Sequence, residues 1–273
     1  MTDITQHYSR GDLLTRLNAA LVADGADPAR PTVEALAPYD QFHGRGLEAT
    51  IELADQMPVR STDRILDIGG GIGGPARYVA TRFGCHVTGI DLTPEFVDVA
   101  QHLTRVMHLD ARVTFEVGDA TKTGFADASF DGAYSINVAM NIADKHGFYR
   151  EIHRLLKPGG WVLLAEIAKA GGGAIDYPTP WASTAASSFL ATADETQRAL
   201  VECGFRVDRL QDSRDAALAY GARSRAMVER GGKPPHRAVA LIHRDVAKAA
   251  MANSAAAMAD GRIAPIDIFA RKI

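Results

Sequence analysis

The chain has 273 residues, of which 47% are apolar, 23% charged and 7% aromatic, with a formal net charge of −3. This composition excludes a disordered or collagen-like chain, and the near-neutral charge gives no reason to expect nucleic acid as a partner. Two cysteines form neither a disulfide framework nor a metal-binding pattern, so we expect no metal and a reducing, cytoplasmic compartment. No segment predicts a signal peptide or a membrane span, so no membrane partner is expected.

The first part of the chain, residues 1–60, is predicted to form an N-terminal helical cap. Apolar residues recur at helical spacing from Leu13 to Val22, and glycine and prolines then break the pattern. A second helix is predicted from about Gly46 to Met57, where Pro58 follows.

From residue 61 to the end, short apolar runs alternate with helical segments. This alternation predicts a doubly wound parallel sheet with right-handed crossovers, and a mostly helical insertion spans about residues 213–260. The predicted strands are Arg64–Ile68, His86–Ile90, Val113–Val117, Phe130–Ile136, Trp161–Ile167, Phe205–Leu210 and Ile263–Ile273. The predicted helices between them are Pro75–Arg82, Thr93–Leu109 and Asp194–Cys203.

A glycine-rich loop follows the first predicted strand. The motif Asp67-x-Gly69-x-Gly71-x-Gly73 lies where a strand passes into a helix. Glycine there permits a tight turn and a close approach of a nucleotide to the backbone. Asp91 ends the second strand, twenty residues beyond Gly71, and a carboxylate at that place can accept two hydrogen bonds from a ribose diol.

Asp67 and the Asp119-Ala120 pair help to distinguish between adenosine cofactors, and Asn137 is a further candidate by its position. Asp67 can accept a hydrogen bond from a cationic amino group, whereas a pyrophosphate would gain nothing from a carboxylate. Asp119 ends the third strand and can accept from the exocyclic amine of adenine, while Ala120 can donate its backbone N–H. Asn137 follows the fourth strand, at the sheet edge where open α/β folds bind ligands.

These motifs, in this order, resemble those of the class I S-adenosylmethionine-dependent methyltransferases over roughly residues 35–210. The resemblance implies S-adenosyl-L-methionine as the cofactor. It also implies an α/β fold: a doubly wound, Rossmann-like, seven-stranded methyltransferase sheet whose last strand runs antiparallel, with the helical cap before it and the helical insertion before the last strand. The cofactor-binding residues expected from the resemblance and from position are Asp67, Gly69, Gly71, Gly73, Asp91, Leu92, Asp119, Ala120 and Asn137.

Within this family, the chain is most similar to enzymes that methylate small molecules, of the sarcosine/dimethylglycine and UbiE-like types. Many such relatives carry a histidine near the position of Asn141, so a histidine-based role there is not expected in this chain. We predict in-line methyl transfer to a small-molecule acceptor, with nitrogen as the first choice of acceptor atom and oxygen or carbon as alternatives.

Residues outside the cofactor motifs are expected to shape the acceptor site. From the cap, His43 is the candidate to orient the substrate or take a proton, and Tyr39 and Gln41 are candidates to close over the site. Trp181, in the segment after the fifth strand, is a candidate to contact an apolar or cationic acceptor. Each of these four has a packing role as its alternative.

Two other functional classes are considered. An NAD(P)-dependent oxidoreductase would use the overlapping pattern Gly69-x-Gly71-x-x-Gly74 together with Asp91, but no Tyr-x-x-x-Lys pair lies at a suitable strand end. A non-catalytic binding module would keep the fold without the cofactor, although the whole loop and both carboxylates are present. The helical insertion could supply the surface of a homodimer.

Overall fold

A seven-stranded sheet forms the centre of the protein, in a computed structural model that describes residues 7, 8 and 11–273. The strands lie in the order β3-β2-β1-β4-β5-β7-β6. Strands β1 to β5 pair in parallel, and β7 pairs antiparallel with both β5 and β6. Their bounds are β1 (Arg64–Ile68), β2 (His86–Asp91), β3 (Val113–Val117), β4 (Phe130–Ile136), β5 (Leu156–Lys169), β6 (Phe205–Asp212) and β7 (Ile263–Lys272).

This arrangement confirms the predicted fold class, including the antiparallel last strand. Helices cover both faces of the sheet. Their bounds are α1 (Leu13–Ala23), α2 (Val33–Asp40), α3 (Gly46–Ala54), α4 (Gly74–Phe83), α5 (Pro94–Val106), α6 (Lys145–Leu155), α7 (Ala193–Glu202), α8 (Arg214–Glu229), α9 (Ala238–His243) and α10 (Ala247–Ala259).

The clearest differences from the sequence prediction lie at β5 and at two helices that were not predicted, α2 and α6. Strand β5 begins five residues earlier than predicted, because Leu156 pairs with Phe130 across a register shift at residues 157–160. Asp144 caps α6 by accepting a hydrogen bond from the Gly147 N–H at 2.8 Å.

The cap helices share a hydrophobic core with the sheet domain. Leu13, Leu17 and Leu21 of α1 are fully buried in a cluster that includes Phe96 and Leu103 of α5. The first residues of the predicted cap lie outside the described part of the chain, and the boundary at residue 60 stays a prediction.

A buried ion pair ties the cap to the helix after the glycine loop. The Arg77 guanidinium of α4 donates to the Asp40 carboxylate of α2 at 3.0 Å, and the two side chains are only 2% and 6% exposed. This contact fixes the cap above the start of α4.

The insertion packs more loosely. Helix α8 buries none of its sixteen residues. The two helices that follow it in the insertion, α9 and α10, each have several buried residues. Among the described residues, no helix combines the length and apolar character needed to cross a bilayer. The cytoplasmic compartment and the homodimer stay predictions.

Candidate active site

A cavity of about 790 Å³ opens at the carboxyl ends of β1, β2 and β4, where open α/β sheets bind ligands. The glycine loop and the ends of the parallel strands form its floor, while the cap and the insertion form its other walls. The volume lies within the range of about 300–1,000 Å³ that is usual for ligand pockets.

The glycine loop is held by hydrogen bonds to the end of β2. The N–H groups of Gly69 and Gly70 donate to the Ile90 carbonyl at 2.8 and 2.9 Å. The Asp91 carboxylate accepts from the Gly71 N–H at 2.9 Å and from the Thr93 N–H at 2.8 Å. Contacts within the chain therefore fix the conformation of the loop.

Glycine is required at two positions of this loop for different reasons. At Gly69 the φ angle is +74°, and an added Cβ would lie 2.2 Å from Val138 Cγ2. At Gly71 the φ angle is +54°, but an added Cβ would meet no protein atom within 4 Å, because this residue faces the cavity. A side chain at this position would fill space in the cavity that is open to a ligand.

Asp67 is the most deeply buried carboxyl group of the loop. It is 2% exposed, lines the cavity, and lies close to the buried Tyr134 hydroxyl. Burial raises the pKa of Asp67 to about 7, with a smaller contribution from the Asp91 charge, and the interaction with the Tyr134 hydroxyl opposes this shift. A buried carboxylate at the edge of the glycine loop suits the cationic amino group of S-adenosylmethionine.

The predicted ribose and adenine residues also line the cavity. Asp91 and Leu92 are half-buried there, and each Asp91 oxygen keeps lone-pair capacity beyond its one backbone bond. Asp119 is exposed at the rim and accepts from the N–H and hydroxyl of Thr121 at 2.8 and 2.7 Å. Ala120 lies beside it, and Asn137 lies opposite with a φ angle of +57°.

Gly73 is the exception among the predicted cofactor residues, since it does not line the cavity. Its φ angle is +86°, and an added Cβ would lie 2.5 Å from Phe115 Cζ and 2.7 Å from Arg77 Nη1. The third glycine of the motif thus allows α4 to pack against the sheet, and its expected contact with the cofactor is not seen in this geometry.

His43 lines the cavity, and both of its ring nitrogens face polar atoms of the cap. Nδ1 lies 3.1 Å from the Gly44 carbonyl oxygen, and Nε2 lies 3.0 Å from the Thr50 hydroxyl. Because the Thr50 hydroxyl donates to Gln41 Oε1 at 2.6 Å, a neutral His43 makes only one of its two contacts as a hydrogen bond, with the nitrogen that carries the proton as donor. Burial lowers the pKa of His43 to about 4. Direct proton transfer from a substrate to His43 would first require one of these contacts to break.

Tyr39 and Gln41 are not among the cavity-lining residues. The Tyr39 hydroxyl donates to the Asp24 carboxylate at 2.7 Å, on the far side of the cap. Gln41 is buried and its amide donates to Asp40 at 3.1 Å. Both residues therefore hold the cap together, and the predicted closure over the substrate is not seen in this geometry.

Trp181 does line the cavity and is anchored at both ends. Its indole N–H donates to the Ser188 hydroxyl at 2.9 Å, and its carbonyl accepts from Asn141 Nδ2 at 2.6 Å. Asn141 Oδ1 accepts from the Tyr8 hydroxyl at 3.1 Å. A chain of hydrogen bonds thus joins the N-terminal segment to the segment after β5 across the cavity.

Sequence reasoning missed several lining residues because they come from distant segments. Glu166 of β5 is buried, and it accepts from the N–H groups of Val138 and Ala139 at 3.0 Å each. Burial raises the pKa of Glu166 to about 8. A glutamate within the apolar part of a predicted strand could have been identified from the sequence as a candidate site residue. Asp267 has the same signal in β7, and burial also raises its pKa.

Comparison with known proteins shows which family this geometry belongs to. Residues 66–164, from β1 to the middle of β5, match the model of a methyltransferase domain family. Residues 66–164 therefore form a methyltransferase domain, which agrees with the class predicted from the motifs. The cofactor prediction is thereby confirmed for this domain, and the oxidoreductase alternative is not supported.

Two relatives show how far this chain resembles curated proteins. Over 138 residues it is 39% identical to phosphoethanolamine N-methyltransferase 1 of Arabidopsis thaliana, which covers 48% of this chain and 28% of that protein. Over 221 residues it is 28% identical to an O-methyltransferase of Pyrenophora dematioidea, covering 78% of this chain and 79% of that one. The chain spans about a quarter of the length of the plant relatives that it matches.

The fold of the chain is also similar to solved structures along its whole length. Geranyl diphosphate C-methyltransferase of Streptomyces coelicolor A3(2) has a TM-score of 0.70 and 19% identity, covering 99% of this chain and 97% of that one. The names of these three proteins specify nitrogen, oxygen and carbon, respectively, as the atom that is methylated. The acceptor atom therefore has to be inferred from the residues of this cavity.

Proposed function

We propose that the protein transfers the methyl group of S-adenosylmethionine to a small molecule with a largely apolar body. The observation that carries this proposal is that one cavity joins the glycine loop to walls built by the cap and the insertion. Beyond the loop, those walls are mostly apolar, and they include Leu53, Ile167, Trp181, Val239 and Met258.

The cofactor supplies the reactive methyl group, so the protein has to align the acceptor with it and exclude water. Asp67 would hold the amino group, Asp91 would hold the ribose, and Asp119 with Ala120 would hold adenine. Gly69 and Gly71 would let the cofactor lie against the backbone. The walls from the cap and insertion would keep water from the acceptor.

Nitrogen is our first candidate for the acceptor atom. Glu229 and Asp267 line the insertion side of the cavity, and their carboxyl oxygens can accept hydrogen bonds from an amine. The nitrogen acceptor named in the Arabidopsis thaliana relative is consistent with this choice. An amine has to lose a proton to the site before or during methyl transfer.

Calorimetric titration separates this function from its alternatives. We expect S-adenosylhomocysteine to bind and NADH not to bind. We expect Asp91→Ala to weaken binding of S-adenosylhomocysteine by about 1–3 kcal/mol, because the ribose loses its buried acceptor. Binding of NADH alone would contradict the proposal, and binding of neither would favour a non-catalytic module.

The acceptor class is tested with S-adenosylmethionine carrying a tritiated methyl group. The panel contains secondary amines, phenols, quinol precursors and isoprenoids, each as an apolar and a phosphorylated member. We expect the highest turnover with an apolar amine. Highest turnover with a phenol or an isoprenoid would move the acceptor atom to oxygen or carbon, and a preference for phosphorylated members would contradict the apolar acceptor.

A further inference from the structure

The insertion brings a second histidine to the cavity, close enough to His43 to help lower the pKa of that ring. His236 lies in the segment between α8 and α9, is half-buried, and lines the cavity. Its Nε2 atom lies 2.7 Å from the Gln41 carbonyl oxygen, a residue 195 positions earlier in the chain. Because a carbonyl oxygen only accepts, Nε2 carries the proton and donates it in this contact.

The contacts of the ring leave its other nitrogen available. The Cδ2 atom faces the start of α3, since a Cβ added to Gly46 would lie 3.4 Å from it. The ring edge with Cδ2 and Nε2 is therefore packed against the cap, and the edge with Nδ1 points away from it. Nδ1 has no hydrogen-bond partner among the described residues. It is also not among their buried polar atoms that lack a partner, so it is accessible from the cavity or from solvent.

The protonation state of His236 suits a proton acceptor. Burial lowers the pKa of His236 below its ordinary value, although the Gln41 contact partly opposes this, so the ring is neutral near pH 7. A neutral ring that donates through Nε2 has its lone pair on Nδ1. Two features thus orient the base, namely the fixed tautomer and the packed edge.

The other candidate bases of the cavity are less available. Both ring nitrogens of His43 face polar atoms of the cap at 3.0–3.1 Å, as described above. Glu166 accepts two backbone N–H groups and lies below the loop after β4. Asp267 lines the same wall as the insertion and is the competitor that an experiment has to separate from His236.

We propose that Nδ1 of His236 is the general base that takes the proton of the acceptor during methyl transfer. This inference rests on the proposed function. The acceptor atom forms a bond to the methyl carbon, the bond from that carbon to sulfur breaks, and its electron pair stays on sulfur to give S-adenosylhomocysteine. The proton of the acceptor passes to Nδ1 and leaves to solvent afterwards, so no oxidant or further reactant is needed.

The tautomer is tested on the whole protein without any acceptor. Long-range ¹H–¹⁵N spectra of histidine-labelled protein, assigned by comparison with His236→Gln, report which ring nitrogen carries the proton. We expect the neutral form protonated at Nε2 at pH 7 and above, with S-adenosylhomocysteine bound and without it. A proton on Nδ1, or a charged ring at pH 7, would overturn the inference.

Turnover is then measured with the acceptor of the panel that reacts fastest. In His236→Gln, the glutamine amide nitrogen can replace Nε2 as the donor to Gln41, whereas the base is lost. We expect the kcat of His236→Gln to fall at least 100-fold, with the dissociation constant of S-adenosylhomocysteine unchanged within twofold. His86→Gln, exposed at the opposite edge of the sheet, is the matched control and should retain kcat.

The outcomes separate the two proposals. Failure of the wild-type protein to bind S-adenosylhomocysteine would overturn the proposed function and the inference together. Normal binding with a kcat of His236→Gln within threefold of wild type would overturn the inference alone. A full kcat in His236→Gln combined with a lost kcat in Asp267→Asn would assign the base to Asp267 instead.

Discussion

The two walls of the cavity are built in opposite ways. Helix α4, behind the glycine loop, buries six of its ten residues, including the charged Arg77. Helix α8, in the insertion, buries none of its sixteen. On the loop side, backbone N–H groups and buried carboxylates are already in place, whereas on the insertion side the apolar residues Leu218, Val228 and Met251 are 40%, 47% and 46% exposed.

This difference follows from what each wall has to bind. The cofactor is the same in every turnover, so a rigid site organised before binding avoids the entropic cost of ordering. The acceptor wall needs only shape and apolar surface, which a loosely packed helix can adjust. We therefore expect substitutions on the loop side to change folding and cofactor binding, and substitutions in α8 to change the acceptor alone.

The largest effect is expected at the buried ion pair behind the loop. Arg77→Ala leaves the Asp40 carboxylate buried without its partner, so it should lower the free energy of unfolding by about 3–5 kcal/mol. Arg82→Ala on the same helix is the control, because its pair with Asp55 is exposed and such pairs contribute about 0–1 kcal/mol. Urea unfolding measures both, and equal losses would contradict the rigid-wall comparison.

The next effect concerns the open space at Gly71. Gly71→Leu places a side chain in open space over the loop, so binding of S-adenosylhomocysteine should weaken by more than 100-fold while the fold is kept. Gly159→Leu carries a similar positive φ angle, +74°, with no neighbour within 4 Å, but it lies outside the cavity. Both variants should lose about 1–2 kcal/mol of stability from the backbone, and only the first should lose binding in calorimetry.

The loop side was also the part that sequence could predict. The bounds of β1, β3 and β4 agree with the prediction to the residue, because each strand is a short apolar run ended by a glycine or polar turn. The carboxylates Asp67 and Asp91 lie at the ends of such strands, so their place at one sheet edge follows from parallel topology.

The acceptor side was predictable only in outline, for physical reasons. In α2, Tyr39 and Asp40 are consecutive residues about 100° apart around the helix axis, and sequence did not reveal that Asp40 faces the cavity while Tyr39 does not. Likewise, His236 meets Gln41 across 195 residues, and no local pattern encodes such a contact. Tertiary packing, rather than local spacing, selects these residues.

A smaller effect is expected in the pH dependence of cofactor binding. Burial raises the pKa of Asp67 to about 7, so the free protein carries this carboxyl group protonated below pH 7 and ionised above it. A bound amino group favours the ionised form, and binding below pH 7 must therefore release the proton. The affinity for S-adenosylhomocysteine should fall by up to about tenfold per pH unit between pH 6.5 and 5, which calorimetry measures.

Asp67→Asn isolates this titration from those of its neighbours, since burial raises the pKa of Asp91 as well. The variant should bind more weakly at pH 8 and show a flatter dependence between pH 6.5 and 5. An unchanged slope in Asp67→Asn would assign the proton to another carboxyl group and weaken the comparison on the loop side.

The smallest effect on stability is expected in α8. A substitution there is the most direct test of whether the cofactor wall and the acceptor wall of the cavity act separately. Val228→Ser removes apolar surface from a residue that is 47% exposed and lines the cavity, so the free energy of unfolding should change by no more than about 0.5 kcal/mol. Binding of S-adenosylhomocysteine should be unchanged, while KM for an apolar acceptor should rise about threefold to tenfold. Ala222→Ser, exposed on the same helix but outside the cavity lining, should leave KM unchanged. If Val228→Ser alters cofactor binding instead, α8 is coupled to the loop and the two walls do not act separately.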